Sequence, residues 1–308
     1  MLLEERIKYY MGYFYDRKII IYKDKIIREK INPLFNYTIC MHYNDLYDFI
    51  EKNKNTILYN YYTPLKEILD HLSISQHNPC FLCIPGDIST ILKNKGVIVK
   101  SRSKHDIFSI LFKLNIDRHW KSIYEVKKND IDYVYKKNKI IWRGSTTGIY
   151  TYKSSRKILV ENYFKYDENI IDVGFNEILD DTYLKYKKNT LSLKELLQHK
   201  FILSIEGNDV ASGLKWQLYS NSVVFMCKPK VCSWLMEDRL EPYIHYIPLK
   251  DNYSDIIEQY YWALQNTQIC LEITKNANKY IEQFLDIENE KKIMSEILLR
   301  YFDNIKII

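Results

Sequence analysis

An α/β fold built on a parallel sheet is predicted by three neighbouring features of this sequence. Residues 200–205 (KFILSI) form a short apolar run with β-branched and aromatic side chains, bounded by Gly207, as expected of a strand buried on both faces. Gly207-Asn208-Asp209 makes a turn, after which Asp209 or Ser212 can cap a helix running to about Ser220. Residues 222–226 (SVVFM) are the next apolar run. A strand, helix and strand of these lengths make a crossover between parallel neighbours. The loop from Gly207 to Ser212 then lies at the carboxyl edge, where such sheets bind ligands.

In chain order, strands are expected at 18–22, 37–42, 80–84 and 97–100, separated by helical stretches such as 46–52 and 65–72. A strand-like run at 139–142 precedes the crossover, and helical stretches at 254–265, 272–284 and 288–302 close the chain. No repeat and no Pro/Gly/Ser linker interrupts it. At 308 residues and 46% hydrophobic content, two domains of about 140 residues each fit. The net charge of +6 is mild and spread along the chain, which suits an anionic nucleotide or partner surface. No run is basic enough to indicate nucleic acid. The 28 Tyr and five Trp offer faces that stack on sugars and bases, although the Tyr excess with only eight Gly also fits an AT-rich coding sequence.

The opening MLLEERIKYY does not read as a signal peptide, and six cysteines are few for this length, so a reducing, cytoplasmic setting is expected. No apolar run approaches the roughly 18 residues of a membrane span. Cys80-Phe81-Leu82-Cys83 has redox or zinc spacing but sits in an apolar strand without a second ligand pair, which favours core thiols. Asp130-Ile131-Asp132 has the Asp-x-Asp spacing of a metal-diphosphate motif, without the flanking strand that would support it.

Several residues suit a nucleotide ligand. A helix amino terminus after Gly207 favours a phosphate, and Lys215 would add a full charge; a solvated helix lysine is the simpler alternative. Glu237 could accept both hydrogens of a ribose diol, or be a surface acid beside Asp238 and Arg239. Arg143 follows the 139–142 run and precedes Gly144-Ser145-Thr146-Thr147-Gly148, where a guanidinium beside hydroxyls and backbone N–H groups suits a diphosphate. His245 either contacts a ligand or is a satisfied core histidine.

WRGSTTG, EGNDVASGLKW, SNSVVFM and SWLMEDRLEPYIHYIPL together resemble the signature blocks of the CAP10-like glycosyltransferases, family 90, in their bacterial and viral style. The resemblance is strong over 138–260 and weaker over 78–137. It implies a GT-B architecture, two Rossmann-like domains facing a central cleft: 1–135 on the acceptor side, 136–285 for the nucleotide sugar, and 286–308 as a helix crossing back onto the first domain. It implies inverting transfer from a UDP-sugar to a hydroxyl of a glycan or glycoprotein, with no cofactor and no metal. UDP-xylose is expected ahead of UDP-glucose, with a location in the cytoplasm, or the host cytoplasm for a viral protein. Arg143, Ser145, Lys215 and Glu237 fall on donor-binding positions, completed by Gly144, Gly207, Asn208 and Ser212.

Animal members have Phe-Arg-Gly where this chain has Ile205-Glu206-Gly207, and carry an arginine near the position of Leu214; here the charge is at Lys215. Inverting transfer also needs a base. Asp87 is the first choice, since Pro85-Gly86-Asp87 leaves the end of the 80–84 strand, with Asp106, His105 and His119 in reserve. Two other classes stay open: a GT-B module that binds a nucleotide sugar or glycan without turnover, and a nucleic-acid binder, for which no clustered basic stripe is present.

Overall fold

A computed structural model describes residues 2–27, 39–73, 78–148 and 155–308. They divide into two units, one from 1–117, 231–234 and 284–308, the other from 118–230 and 235–283. In the first unit, the helix Leu3–Met11 buries Arg6, Ile7, Tyr10 and Met11, and β1 (Ile19–Ile21) follows. β2 (Ile39–His42) runs antiparallel to β3 (Cys80–Ile84); Tyr37 and Thr38 of the expected strand lie outside the described residues. β3 pairs in parallel with β4 (Val97–Val99). After β5 (Ser101–Ser103), β6 (Ser109–Leu111) pairs in parallel with β4. Leu82, Cys83, Ile84, Val97, Ile98 and Val99 are all fully buried, so both faces of this sheet are covered. Cys83 is one of the core thiols, and burial pushes its pKa up to about 12. Cys80 is half-buried against Cys40, with 3.0 Å between their sulfurs.

The second unit is built on β7 (Lys137–Ser145), β8 (Ile171–Glu177), β9 (His199–Leu203) and β10 (Val223–Cys227). The chain then returns to the first unit for β11 (Val231–Ser233), antiparallel to β5, before β12 (Ile247–Leu249). The order β12-β10-β9-β7-β8 is parallel throughout, so every carboxyl end lies on one edge. Alternation sets the two faces. Ile140, Trp142, Phe201, Leu203, Val223 and Phe225 belong to a core that Tyr260, Ala263 and Ile273 of the following helices complete. Ile141, Ile202 and Val224, on the opposite face, are equally buried.

The closing helices are Ile256–Gln265, Thr267–Glu282 and Ile287–Asn304. The last belongs to the first unit, where the Tyr301 hydroxyl accepts from Leu82 N and donates to Gly96 O. β13 (Ile305–Ile307) then pairs in parallel with β1. Glu290 in the same helix receives Arg6 at 2.6 Å, Lys113 at 2.7 Å and the Trp234 indole N–H at 2.5 Å, all buried. Among the described residues no helix is long and apolar enough to cross a membrane.

Candidate active site

The carboxyl edge of the second unit carries the site. β7 ends in Arg143-Gly144-Ser145 beside Gly174 and Phe175 of β8. Gly144 is required there, because a Cβ would lie 2.5 Å from the Trp142 ring. That ring supports the guanidinium of Arg156, whose Cζ lies 5.9 Å from its centroid. Arg156, in the first turn of the helix Ser155–Tyr163, donates to Ser145 Oγ at 3.2 Å, Thr147 Oγ1 at 3.0 Å and Ile205 O at 3.2 Å. It lies so close to Gly207 that a Cβ there would meet Nη2 at 2.7 Å. The loops after β7 and β9 therefore converge on one cation.

Arg143 lines the same cavity edge as Ser145 and Arg156, with its hydrogen bonds turned to the protein. Its guanidinium pairs with Asp172 at 2.8 Å and donates to the carbonyls of Trp142, Asp172 and Asn189. Burial alone would raise the Asp172 carboxyl, but hydrogen bonds from Arg143 and Lys188 outweigh it and hold the group below its ordinary value. Arg156 is the arginine that reaches the Ser145 hydroxyl, and sequence reasoning missed it. The signal was available: it opens the helix following a glycine turn at a strand's end, the placement that had drawn attention to Lys215.

The helix expected from about 209 to 220 is shorter than its pattern suggested. Only Leu214–Leu218 is helical, its N-cap is Gly213 with no side-chain cap, and residues before it form bends. Gly207 N donates to Asp209 O at 3.0 Å, so this N–H closes the turn. Five residues sum to little dipole, which removes the helix-terminus argument for a phosphate at this loop. Lys215 is buried within the helix and pairs with Glu237 at 3.2 Å. The two residues expected to hold the diphosphate and the ribose separately thus form one buried ion pair. Glu237 is aimed by Met236, a left-handed residue with φ 57°; the Tyr280 hydroxyl donates to both Leu235 O and Met236 O and holds that turn.

Two cavities adjoin along this edge. The larger, of about 310 Å³, is lined by Ser145, Arg156, Ser204, Ser212, Trp216 and Gln217 among others. The smaller, of about 50 Å³, includes Met226, Lys228, Glu237 and Tyr253. Ser204, Ile205 and Ala211 line both. Gly144 and Ser212 border the larger cavity, with Gly207 and Asn208 on the loop between Ile205 and Ala211.

The remaining candidates separate. Asp87 leaves the carboxyl end of β3 through Gly86, at φ 118°, and pairs with Lys100 at 2.8 Å; no helix follows it. Asp106 is buried and accepts from Phe108 N, Ser109 N and Ser109 Oγ, so it holds its own turn. His105 is exposed and His119 buried. His245 Nδ1 accepts from Glu241 N at 3.0 Å, its ring packs on Tyr280, and burial lowers its pKa, which favours the neutral packed histidine. Asp130 accepts from Asn221 N at 2.6 Å and pairs with the buried Lys136, so half of the Asp-x-Asp pattern ties its own loop to the residues before β10. Among the described residues no group of three His, Cys, Asp or Glu side chains is arranged to hold a metal.

This site occurs on a chain whose residues 107–307 match the family model "Glycosyl transferase family 90". The O-glucosyltransferase LpsA of Dichelobacter nodosus is 31% identical over 245 residues, 79% of this chain and 72% of that protein. Uncharacterized protein 179R of Invertebrate iridescent virus 6 is 27% identical over 157 residues, 44% of this chain but 13% of its own length. Uncharacterized protein 035R of Invertebrate iridescent virus 3 is 30% identical over 101 residues, 32% of this chain and 9% of its own length. Mixed α/β units with parallel sheets, a basic hydroxyl-lined carboxyl edge and a match over most of the chain lead to one assignment: the protein belongs to glycosyltransferase family 90.

Proposed function

We propose that this chain is a GT-B glycosyltransferase that moves a sugar from a UDP donor to a hydroxyl of a glycan or glycoprotein, with inversion and without a metal. The observation that carries this reading is the convergence of Arg156, Ser145 and Thr147 beside Gly207, on the edge where Glu237 opens into the adjoining pocket. A diphosphate takes the hydrogen bonds Arg156 now gives to hydroxyls, and the ribose diol takes Glu237. Arg156 supplies charge that other transferases draw from a cation, which is the ground for metal independence. The activity named for the bacterial relative favours glucose as the sugar, ahead of the xylose expected from the sequence.

In the proposed step the acceptor oxygen attacks the anomeric carbon as the bond from that carbon to the diphosphate oxygen breaks. The acceptor proton passes to the Asp87 carboxylate, and UDP leaves with the bonding electrons, its added charge met by Arg156. Lys100 orients Asp87 in this scheme.

The test is thermal stability against UDP, GDP, UDP-glucose and UDP-xylose, each with and without EDTA, since a ligand of the native state raises Tm by mass action. A UDP-selective shift that survives EDTA supports the donor site, and the absence of any shift overturns it. Asp87→Ala should lose turnover while keeping the UDP shift; transfer at the wild-type rate would remove Asp87 from the mechanism.

A further inference from the structure

We propose that Cys40 and Cys80 are an oxidative modification site, a thiol pair that a small disulfide such as oxidised glutathione converts to a cross-link between β2 and β3. β2 runs antiparallel to β3 with Cys40 opposite Leu82 and His42 opposite Cys80, so the two cysteines are diagonal neighbours on one face of the sheet. Their sulfurs lie 3.0 Å apart, inside the van der Waals contact of two sulfur atoms. Closing to the length of a disulfide bond needs a shift of only about 1 Å. Both residues keep partial exposure, whereas Cys83, Cys232 and Cys270 are buried. The spacing of Cys80-Phe81-Leu82-Cys83 suggests a different pairing, which the strand forbids: positions three apart on a strand face opposite sides.

Burial and then the neighbouring Cys40 thiol push Cys80 above its ordinary pKa, with Lys23 acting the other way. Cys80 therefore keeps its proton at neutral pH, and the first attack falls to Cys40. The Cys40 thiolate attacks one sulfur of oxidised glutathione and bonds to it, while the other glutathione leaves as a thiolate with the electrons of the broken sulfur–sulfur bond. Cys80 then attacks Cys40 Sγ, and the second glutathione leaves with that bonding pair. The protons of both cysteines end on the two glutathione thiols, so two protein thiols are oxidised as one small disulfide is reduced. In the sheet order β2-β3-β4-β6, β2 is the edge strand and pairs with β3 alone among the described residues. The cross-link fixes this edge covalently. It also joins positions 40 apart in the chain, a loop whose closure restricts the unfolded state.

The test is to incubate the full chain with oxidised glutathione, block the remaining thiols in denaturant, and map the unreduced digest by mass spectrometry, for the wild type, Cys40→Ser, Cys80→Ser and Cys227→Ser. The wild type should lose two of its six thiols, yield a peptide pair joined through Cys40 and Cys80, and recover both thiols with dithiothreitol. Cys227→Ser, which alters the third partly exposed cysteine, should behave as the wild type. Cys40→Ser and Cys80→Ser should form no joined pair. The oxidised wild type should unfold at a higher urea concentration than the reduced protein, a difference absent from these two variants. Six surviving thiols, glutathione adducts on Cys40 or Cys80 without the joined peptides, or a joined pair through other cysteines would each overturn the proposal. The wild-type map decides this even if a serine variant folds poorly. Joined peptides with an unchanged urea midpoint would overturn the fixing of the edge strand.

Discussion

Lys215 and Glu237 show how two residues read separately in the sequence can form one pair in the fold. Each was legible in the sequence as a charged side chain in an apolar setting, but a one-dimensional pattern does not reveal that the two meet. Because they are 1% and 2% exposed, removing either leaves a charge in a poorly solvating interior. Lys215→Met should therefore cost about 3–5 kcal/mol of stability by urea unfolding, and weaker donor use in that variant would report folding as much as binding. Arg156 is expected to behave in the opposite way. Arg156→Ala should weaken UDP binding at least tenfold with a near-wild-type Tm. Arg143→Ala should mainly lose about 1–3 kcal/mol of stability through its bond to Asp172. If Arg143→Ala keeps full stability and loses UDP, the two arginines have been assigned the wrong way round. Arg143 was visible in the sequence as a cation before a glycine turn; where its guanidinium points depends on Asp172, 29 positions away.

At the scale of elements, the apolar runs were the dependable signal. KFILSI and SVVFM became parallel neighbours β9 and β10, because a strand buried on both faces has few alternatives. The helix between them was harder to read. Glycine at 213 and a turn closed by Gly207 N to Asp209 O consume the residues that looked like its first turn, and neither event has a periodicity. The two loops of the edge are set by close approach, which gives a direct test. In Gly207→Ala the new methyl meets the flexible end of Arg156, so the fold should survive with Tm within a few degrees while UDP affinity falls. A large drop in Tm with unaltered UDP affinity would show that Gly207 serves the turn alone.

For the molecule as a whole, titration of two histidines sets an expectation for stability against pH. Burial lowers the pKa of both His199 and His245 in the folded state, so the unfolded chain binds protons more readily. Their contribution is complete above the ordinary histidine value of about 6.5 and is lost as pH falls through the lowered folded values. The urea midpoint should accordingly decline between pH 7 and pH 5; a flat profile over that range would show that neither ring is held neutral.

The first unit is not contiguous: 284–308 belong to it from the far end, where the resemblance implied a helix crossing back, but the chain also leaves the second unit to lay β11 against β5, which no sequence pattern announced. This has a consequence for synthesis on the ribosome. Residues 1–117 emerge first but lack the strand that pairs with β5, the Trp234 ring stacked on Tyr10 and the Glu290 carboxylate that neutralises Arg6 and Lys113. Arg6 and Lys113 gain the Glu290 carboxylate only when the last helix is made, so the first unit cannot complete its core before residues 284–308 are present.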